Sequence, residues 1–351
     1  MVLSYKIVSL SLLAVALSTL LPKSFAFLSN ILFRNTSMTS VAVPSNQDEW
    51  RAALESLPST PQKIPAFFFA HGSPALVYAR GFSGRSDFEQ YQGPNGPLAN
   101  FLKDFGPTLL QKYNPKAVVV FSAHWETLGE RLVTDYGDEN PLLMDYYGFP
   151  QEFYQLKFKS RGDKQLAEQI VGLYKEAGQL ARITSKLEPR GSDGRGFEGP
   201  GLDHGVFVPF RLMFGEEFGI PIVEVSIDSS MTPEANWKLG QVVKSLREEN
   251  VLVLAGGLPI HNLRDFSSFA PDTAQPIHHS FHKAILDALQ VNNTQERKKA
   301  LQDLPKHSGF RACNPREEHF VPLYVAAGAA EDEDLKILNG LYGIPTVAFG
   351  V

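Results

Sequence analysis

The chain has 351 residues, 43% hydrophobic and 20% charged, enough apolar material for one large α/β domain or two smaller ones. A formal net charge of -5 with no extended run of Lys or Arg gives no electrostatic footprint for nucleic acid, so small molecules are the expected partners. A single cysteine, Cys313, excludes an intrachain disulfide, a Cys-rich zinc site and a CxxC redox motif; any metal must be held by nitrogen and oxygen.

The first 47 residues read as a presequence. Lys6 supplies a short positive region, residues 7–21 an apolar run, and Ser24 and Ala26 the small side chains of a cleavage site before Phe27, so residues 1–26 are expected to be a signal peptide. The alternative, a membrane anchor, is disfavoured because the run is short for roughly 30 Å of hydrocarbon, and the mature form is expected to be free of the membrane. Residues 27–47 contain Arg34 and several hydroxyl side chains, and Asp48 is the first acidic residue of the chain. That is transit-peptide composition. A signal segment followed by a transit-like one resembles the two-part presequence of proteins imported into plastids bounded by extra membranes. A plastid is therefore the expected destination, with the secretory pathway or secretion as the alternative. The sequon at Asn35 lies in this segment.

From about residue 62 to residue 351 the chain alternates apolar and helical runs, the pattern of an α/β fold. A strand is expected at 64–70, then a helix at 97–112, and strands at 117–123, 131–136 and 152–158. After these a helix is expected at 163–177 and a strand at 181–187. Next come a helix at 205–214, a strand at 220–227, a helix at 233–249 and a strand at 251–255. Helices at 275–290 and 317–329 and a weak strand at 345–349 complete the order. In MTPEANWKLGQVVKSLREEN, Thr232 can cap, Pro233 suits the first turn, and Trp237, Leu239, Val242, Val243 and Leu246 recur at helical spacing. AVVVFSA has no polar alternation, which implies burial on both faces of a mostly parallel or mixed sheet. The Gly-rich segment 188–201 lacks a phosphate-loop pattern and reads as a mobile surface loop near the site. There is no internal repeat and no interdomain linker, so one domain is expected.

Three apolar runs end in histidine: FFFAHGSP at His71, VVVFSAHWE at His124 and VLVLAGGLPIH at His261. In open α/β sheets ligands gather beyond the carboxyl ends of the strands, so these side chains are expected to face the functional crevice. His204, in GLDHGVFVPF, stands where a helix begins. Any one of these could be a core histidine bonded to backbone, but four converging imidazoles form a site for zinc, iron or copper. His278, His279 and His282 fit a helix surface and His307 a polar loop; solvent exposure is their expected state. Glu126, Asp203 and Asp265 are nearby carboxylates, candidates for orienting a ligand histidine or for coordination.

FAHGSP, SAHWET, DYYGFPQEFYQLKF, GLDHGVFVPFRLMF, GIPIVEVSID, GGLPIHNLRDF and REEHFVPLYVAAGAA resemble, in order, the motifs of the class III extradiol ring-cleavage dioxygenases of LigB type. The resemblance is greatest to the 4,5-DOPA extradiol dioxygenase branch and covers residues 62–330. It implies that His71, His124 and His261 are metal ligands. It makes His204 either a fourth ligand or the acid/base beside the metal, and places His319 in the substrate pocket. Asn314-Pro315 departs from the His-Pro expected before the last helix, which puts substrate contacts there in question. The implied cofactor is non-haem Fe(II), with Zn(2+) as another occupant of such a nitrogen site. The implied partners are a catechol-type molecule and O2, with DOPA giving 4,5-seco-DOPA and then betalamic acid. A zinc hydrolase would use the same histidines to activate water, and a non-catalytic metal-binding module would use them without chemistry. Tyr146, Tyr147 and Phe149 favour a flat aromatic substrate over the hydrolase, with a place in the core as the alternative reading of the tyrosines.

Overall fold

Runs such as AFFFA and AVVVFSA carry apolar side chains at nearly every position, so they can be buried only where both faces of a sheet are covered. In the computed structural model the described residues are 43–78, 86–189 and 199–351. The expected signal peptide 1–26, residues 27–42 of the transit-like tract and residues 190–198 of the Gly-rich loop lie outside them.

The elements run, in chain order, α1 Gln47–Glu55, β1 Ala66–Ala70, α2 Ser86–Gln92, α3 Pro97–Tyr113, β2 Ala117–Thr127, β3 Glu130–Thr134, α4 Lys164–Glu176 and β4 Leu180–Thr184. They continue as α5 His204–Phe214, β5 Ile222–Asp228, α6 Pro233–Val243, β6 Val251–Gly257, α7 Pro276–Leu289, α8 Thr294–Asp303, α9 Phe310–Cys313, α10 Pro322–Gly328, β7 Leu335–Asn339 and β8 Thr346–Phe349. The eight strands form one mixed sheet in the order β4-β3-β5-β2-β6-β1-β8-β7. Its centre, β5-β2-β6-β1, is parallel, whereas β3 pairs antiparallel with β5 and β8 antiparallel with β1. Alternate residues of the central strands enter opposite cores. Phe68, Val119, Val225 and Val253 face α4, α6, α7 and α10, while Phe67, Val118, Ile222 and Leu252 face α1, α3 and α5. The residues from Val43 onward form one unit, a single α/β domain with helices on both sides of the sheet. Among the described residues no helix is long and apolar enough to cross a membrane.

Several expectations change in detail. Residues 152–158 are not a strand: Pro150 leads into a 3-10 turn, Gln151–Gln155, that buries Phe153 against Tyr78 and Phe149. The expected helix 233–249 tightens into 3-10 geometry from Lys244, and the helix expected at 317–329 is α-helical only over Pro322–Gly328. Helices α1, α2, α8 and α9 and edge strand β7 were not expected. Helix α1 buries Trp50 and Leu54 beside α3, Trp50 standing edge-on to Phe101 with centroids 5.8 Å apart, so the packed chain extends upstream of residue 62. His278 is buried, not exposed, because its Nδ1 accepts from Gln275 N in a capping box at the start of α7. His282 is half-buried, its Nε2 3.2 Å from the carbonyl of Gly340.

Helices α6 and α10 approach so closely that glycine is required on both. A Cβ on Gly240 would lie 2.0 Å from Val325 O, and one on Gly328 2.1 Å from Trp237 O. Gly240→Ala is expected to push the helices apart and to destabilise the protein by about 1–3 kcal/mol, read as a lower denaturant midpoint.

Candidate functional site

The parallel strands β2, β6 and β1 are neighbours, so the loops that leave their carboxyl ends meet at one end of the sheet. His71 comes directly after β1. Gly72 turns there with φ +68, a left-handed conformation that a side chain would strain, and its carbonyl accepts from His71 Nδ1 at 2.6 Å. His124 sits in a bulge of β2: Phe121 pairs with Val225 and Glu126 with Ile227, so five steps along β2 match two along β5. A bulge of this kind re-aims a side chain out of the ladder. Ser122, inside the bulge, donates to Asp203 Oδ1 at 2.7 Å, and the same oxygen caps α5 by accepting from Gly205 N at 2.8 Å. The N-terminus of α5, with His204 in its first turn, is thereby latched beside His124.

The ring centroids of His124 and His204 are 4.0 Å apart, those of His71 and His124 5.0 Å, and those of His71 and His319 5.2 Å. The donor atoms form three overlapping groups: His71, His124 and His319; His124, Asp145 and His204; and His261, Glu318 and His319. The expected trio His71, His124 and His261 is spread across the first and third groups. His261 stacks on His319, centroids 3.5 Å apart and planes 12° from parallel, with Phe269 at its edge. Its loop is tied down by His261 N donating to Cys313 O and by Asn314 Nδ2 donating to Pro259 O at 2.7 Å. Asn314, which breaks the expected motif, is fully buried and braces the loop that carries His261.

Four imidazoles near the centre have an oxygen partner on Nδ1. Gly72 O serves His71, Asp145 Oδ2 serves His124 at 2.7 Å, Asp145 Oδ1 serves His204 at 2.8 Å, and Glu318 Oε1 serves His319 at 3.1 Å. Acceptors on Nδ1 require the proton there, which leaves a lone pair on each Nε2. These lone pairs converge. Among the described residues His71 Nε2 is buried with no hydrogen-bond partner, and His124 Nε2 faces His319 Nε2 at 3.0 Å. Two neutral imidazoles presenting lone pairs to each other repel unless a proton or a cation stands between them. Two nitrogens about 2.1 Å from one ion at a right angle are separated by about this distance. The donor set therefore fits a bound metal ion.

Asp145 was not among the expected residues. It lies within the DYYGFP motif, where the tyrosines drew attention, and it bridges His124 and His204. Burial opposes its ionisation, but His204 and then His124 outweigh burial and hold the carboxyl well below the usual carboxylate range. The three carboxylates expected near the site have other partners. Asp203 caps α5, Glu126 pairs with Arg316, and Asp265 caps the 3-10 turn Phe266–Phe269. Beside His204 stands an aromatic wall: Tyr146 at 5.5 Å, with Phe149 and Tyr154 each 5.2 Å from Tyr146. Tyr147, by contrast, is largely exposed.

Comparison with known proteins bears on what such a site does. Residues 65–351 match the family described as the catalytic LigB subunit of aromatic ring-opening dioxygenase. Over 306 residues the chain is 41% identical to a 4,5-DOPA dioxygenase extradiol-like protein of Schizosaccharomyces pombe, covering 86% of this chain and 97% of that one. It is 28% identical to the 4,5-DOPA dioxygenase extradiol of Beta vulgaris, covering 81% of this chain and 94% of the relative. The crystal structure of an uncharacterized Escherichia coli K12 protein shares the fold, with a TM-score of 0.59 at 24% identity, over 82% of this chain and 100% of that one. The site is thus that of an aromatic ring-opening dioxygenase of the extradiol class, an enzyme with a metal-dependent, histidine-rich centre. The chain belongs to the LigB family. Membership removes the zinc hydrolase and the non-catalytic metal-binding module.

Burial, with the neighbouring His204, pushes the His71 imidazole down to about 4, and burial pushes His282 down to about 4. An unfolded imidazole binds its proton near 6.5. The folded pKa is the depressed one, so stability is complete above about pH 6.5 and is lost as pH falls towards about 4. Urea midpoints of the metal-free protein are expected to fall across that window, and His71→Gln to remove up to about 3 kcal/mol of the slope while the His282 part remains.

Proposed function

We propose that the chain opens the ring of a catechol-type substrate, DOPA or a close relative, next to its diol, using non-haem Fe(II) and O2. The observation that carries this reading is the convergence of Nε2 lone pairs from His71, His124 and His319, with the ring centroid of His204 4.0 Å from that of His124. The names of the Schizosaccharomyces pombe and Beta vulgaris relatives support DOPA as the substrate class.

In this reading His71 and His124 hold the ion, with His261 as the third ligand from the end of β6 and His319 lining the substrate pocket. Ferrous iron supplies the one-electron chemistry that couples a closed-shell catechol to dioxygen, which zinc, without redox chemistry, does not. His204 holds a lone pair on Nε2 because Asp145 accepts from its Nδ1, so it takes a hydroxyl proton from the substrate and returns it later in the cycle. Tyr146, Phe149 and Tyr154 exclude water from one side of the pocket and suit a flat ring.

Anaerobic loading with Fe(II), followed by oxygen uptake with DOPA, protocatechuate and other catechols, tests the reaction. Uptake that depends on a catechol is expected; none across the panel, with iron shown bound, excludes this reading. His204→Ala is expected to keep its iron and to lose about 10²–10⁴-fold in kcat. One observation favours a second assignment of the third ligand: His319 Nε2, not His261, lies 3.0 Å from His124 Nε2. Iron content decides, since His261→Ala loses the metal under the first assignment and His319→Ala under the second.

The signal-like and transit-like composition of residues 1–47 supports a plastid destination, with the secretory route as the alternative. A fluorescent fusion carrying those residues is expected to reach the plastid, and deletion of residues 27–42 to redirect it to the secretory pathway.

A further inference from the structure

Asp145 accepts hydrogen bonds from two side chains and one backbone group. Its Oδ1 accepts from both the backbone N and the Nδ1 of His204, each at 2.8 Å, and its Oδ2 accepts from His124 Nδ1 at 2.7 Å. The carboxylate is almost wholly buried, and so are both imidazoles. We infer that Asp145 is a positioning residue that sets the tautomers of a metal-ligating histidine and of the acid/base histidine together. One oxygen commits the Nε2 of His124 to the ion, and the other commits the Nε2 of His204 to the substrate. The inference rests on the proposed role of His124 as a ligand.

The two halves of the carboxylate are not equivalent, and that makes the inference testable. The backbone N–H of His204 can only donate, so whatever group stands at the Oδ1 position must be an acceptor. In Asp145→Asn the amide oxygen is therefore held on the His204 side, and the NH2 group is turned towards His124 Nδ1. A donor there is accommodated only if His124 gives up its Nδ1 proton and carries it on Nε2, where it blocks coordination. His204 keeps its tautomer. The substitution thus separates two roles that the native carboxylate joins, while leaving volume and shape nearly unchanged.

The experiment uses the purified full chain, labelled with ¹⁵N-histidine and free of metal, and compares parent with Asp145→Asn. In the parent, the imidazole nitrogen resonances of His124 and His204 are expected to show protons on Nδ1. In Asp145→Asn, the His124 proton is expected on Nε2 and that of His204 unchanged. Fe(II) affinity, measured anaerobically by metal retained on dialysis, is expected to fall about 10–100-fold. A role limited to packing would lower the melting temperature without moving a proton on one particular ring. A parent in which His124 Nδ1 carries no proton overturns the inference, and this result needs no variant to fold. An Asp145→Asn protein that binds Fe(II) as tightly as the parent overturns it as well. Neither readout involves a catechol or oxygen. Iron binding with the expected tautomers but no ring cleavage would defeat the proposed reaction and leave the role of Asp145 standing.

Discussion

A buried imidazole needs an acceptor for its one N–H, and which nitrogen receives that acceptor decides where its lone pair points. The site at the end of this sheet is built on that constraint. A backbone carbonyl at Gly72, the carboxylate of Asp145 and the carboxylate of Glu318 each claim an Nδ1 from outside the cluster. The inward nitrogens are left with lone pairs: among the described residues His71 Nε2 has no hydrogen-bond partner, and His124 and His319 face each other. The polypeptide alone therefore holds an arrangement that a cation completes, and the binding energy of that cation offsets the cost of bringing so many imidazoles together out of water.

The scaffold sustains this arrangement by keeping backbone geometry rigid around it. Three parallel strands in adjacent positions bring the ends of β1, β2 and β6 within reach of one another, and helices on both faces exclude water from the sheet. The departure from regularity is confined to where it is used, the β2 bulge that turns Ser122 and His124 away from the β5 ladder. Asp203 then joins that bulge to the first turn of α5 through Ser122 and Gly205. His204 and His124 come from distant parts of the chain, yet one oxygen atom of Asp203 sets the spacing between their supporting elements. Gly257 contributes in the same way from β6, since a Cβ there would lie 2.4 Å from the carbonyl of His319.

Much of this was legible in the residue order. Continuous apolar runs such as AVVVF announced buried parallel strands, and a histidine soon after each run announced the crevice. Short elements were less legible. The amphipathic α1 comes after a Ser/Thr-rich tract that resembles a leader, and β7 is an edge strand whose first two residues are only partly buried. The stretch at 152–158 alternates like a strand, but Pro150 and the packing of Phe153 make it a 3-10 turn. Nothing local marks Asp145, whose significance lies in contacts with His124 and His204, 21 and 59 residues away, which no local pattern encodes. A local pattern singles out the carboxylates adjacent to the histidines in sequence, Glu126 and Asp203. Glu126 is engaged by Arg316, and His278 is buried because a capping role, invisible in a helical repeat, draws it inward.

The start of the packed chain also covers a vulnerable edge. Pro44 O accepts from Gly340 N at 2.8 Å just beyond β7, Val43 sits where a Cβ on Gly340 would be, and Ser56, at the end of α1, hydrogen-bonds Lys336 within β7. Strand β7 is the last of the sheet, and an uncovered terminal strand invites pairing with another molecule. The border of the sheet is thus guarded by residues 43–56: a truncation beyond α1 would strip it and expose a template for self-association.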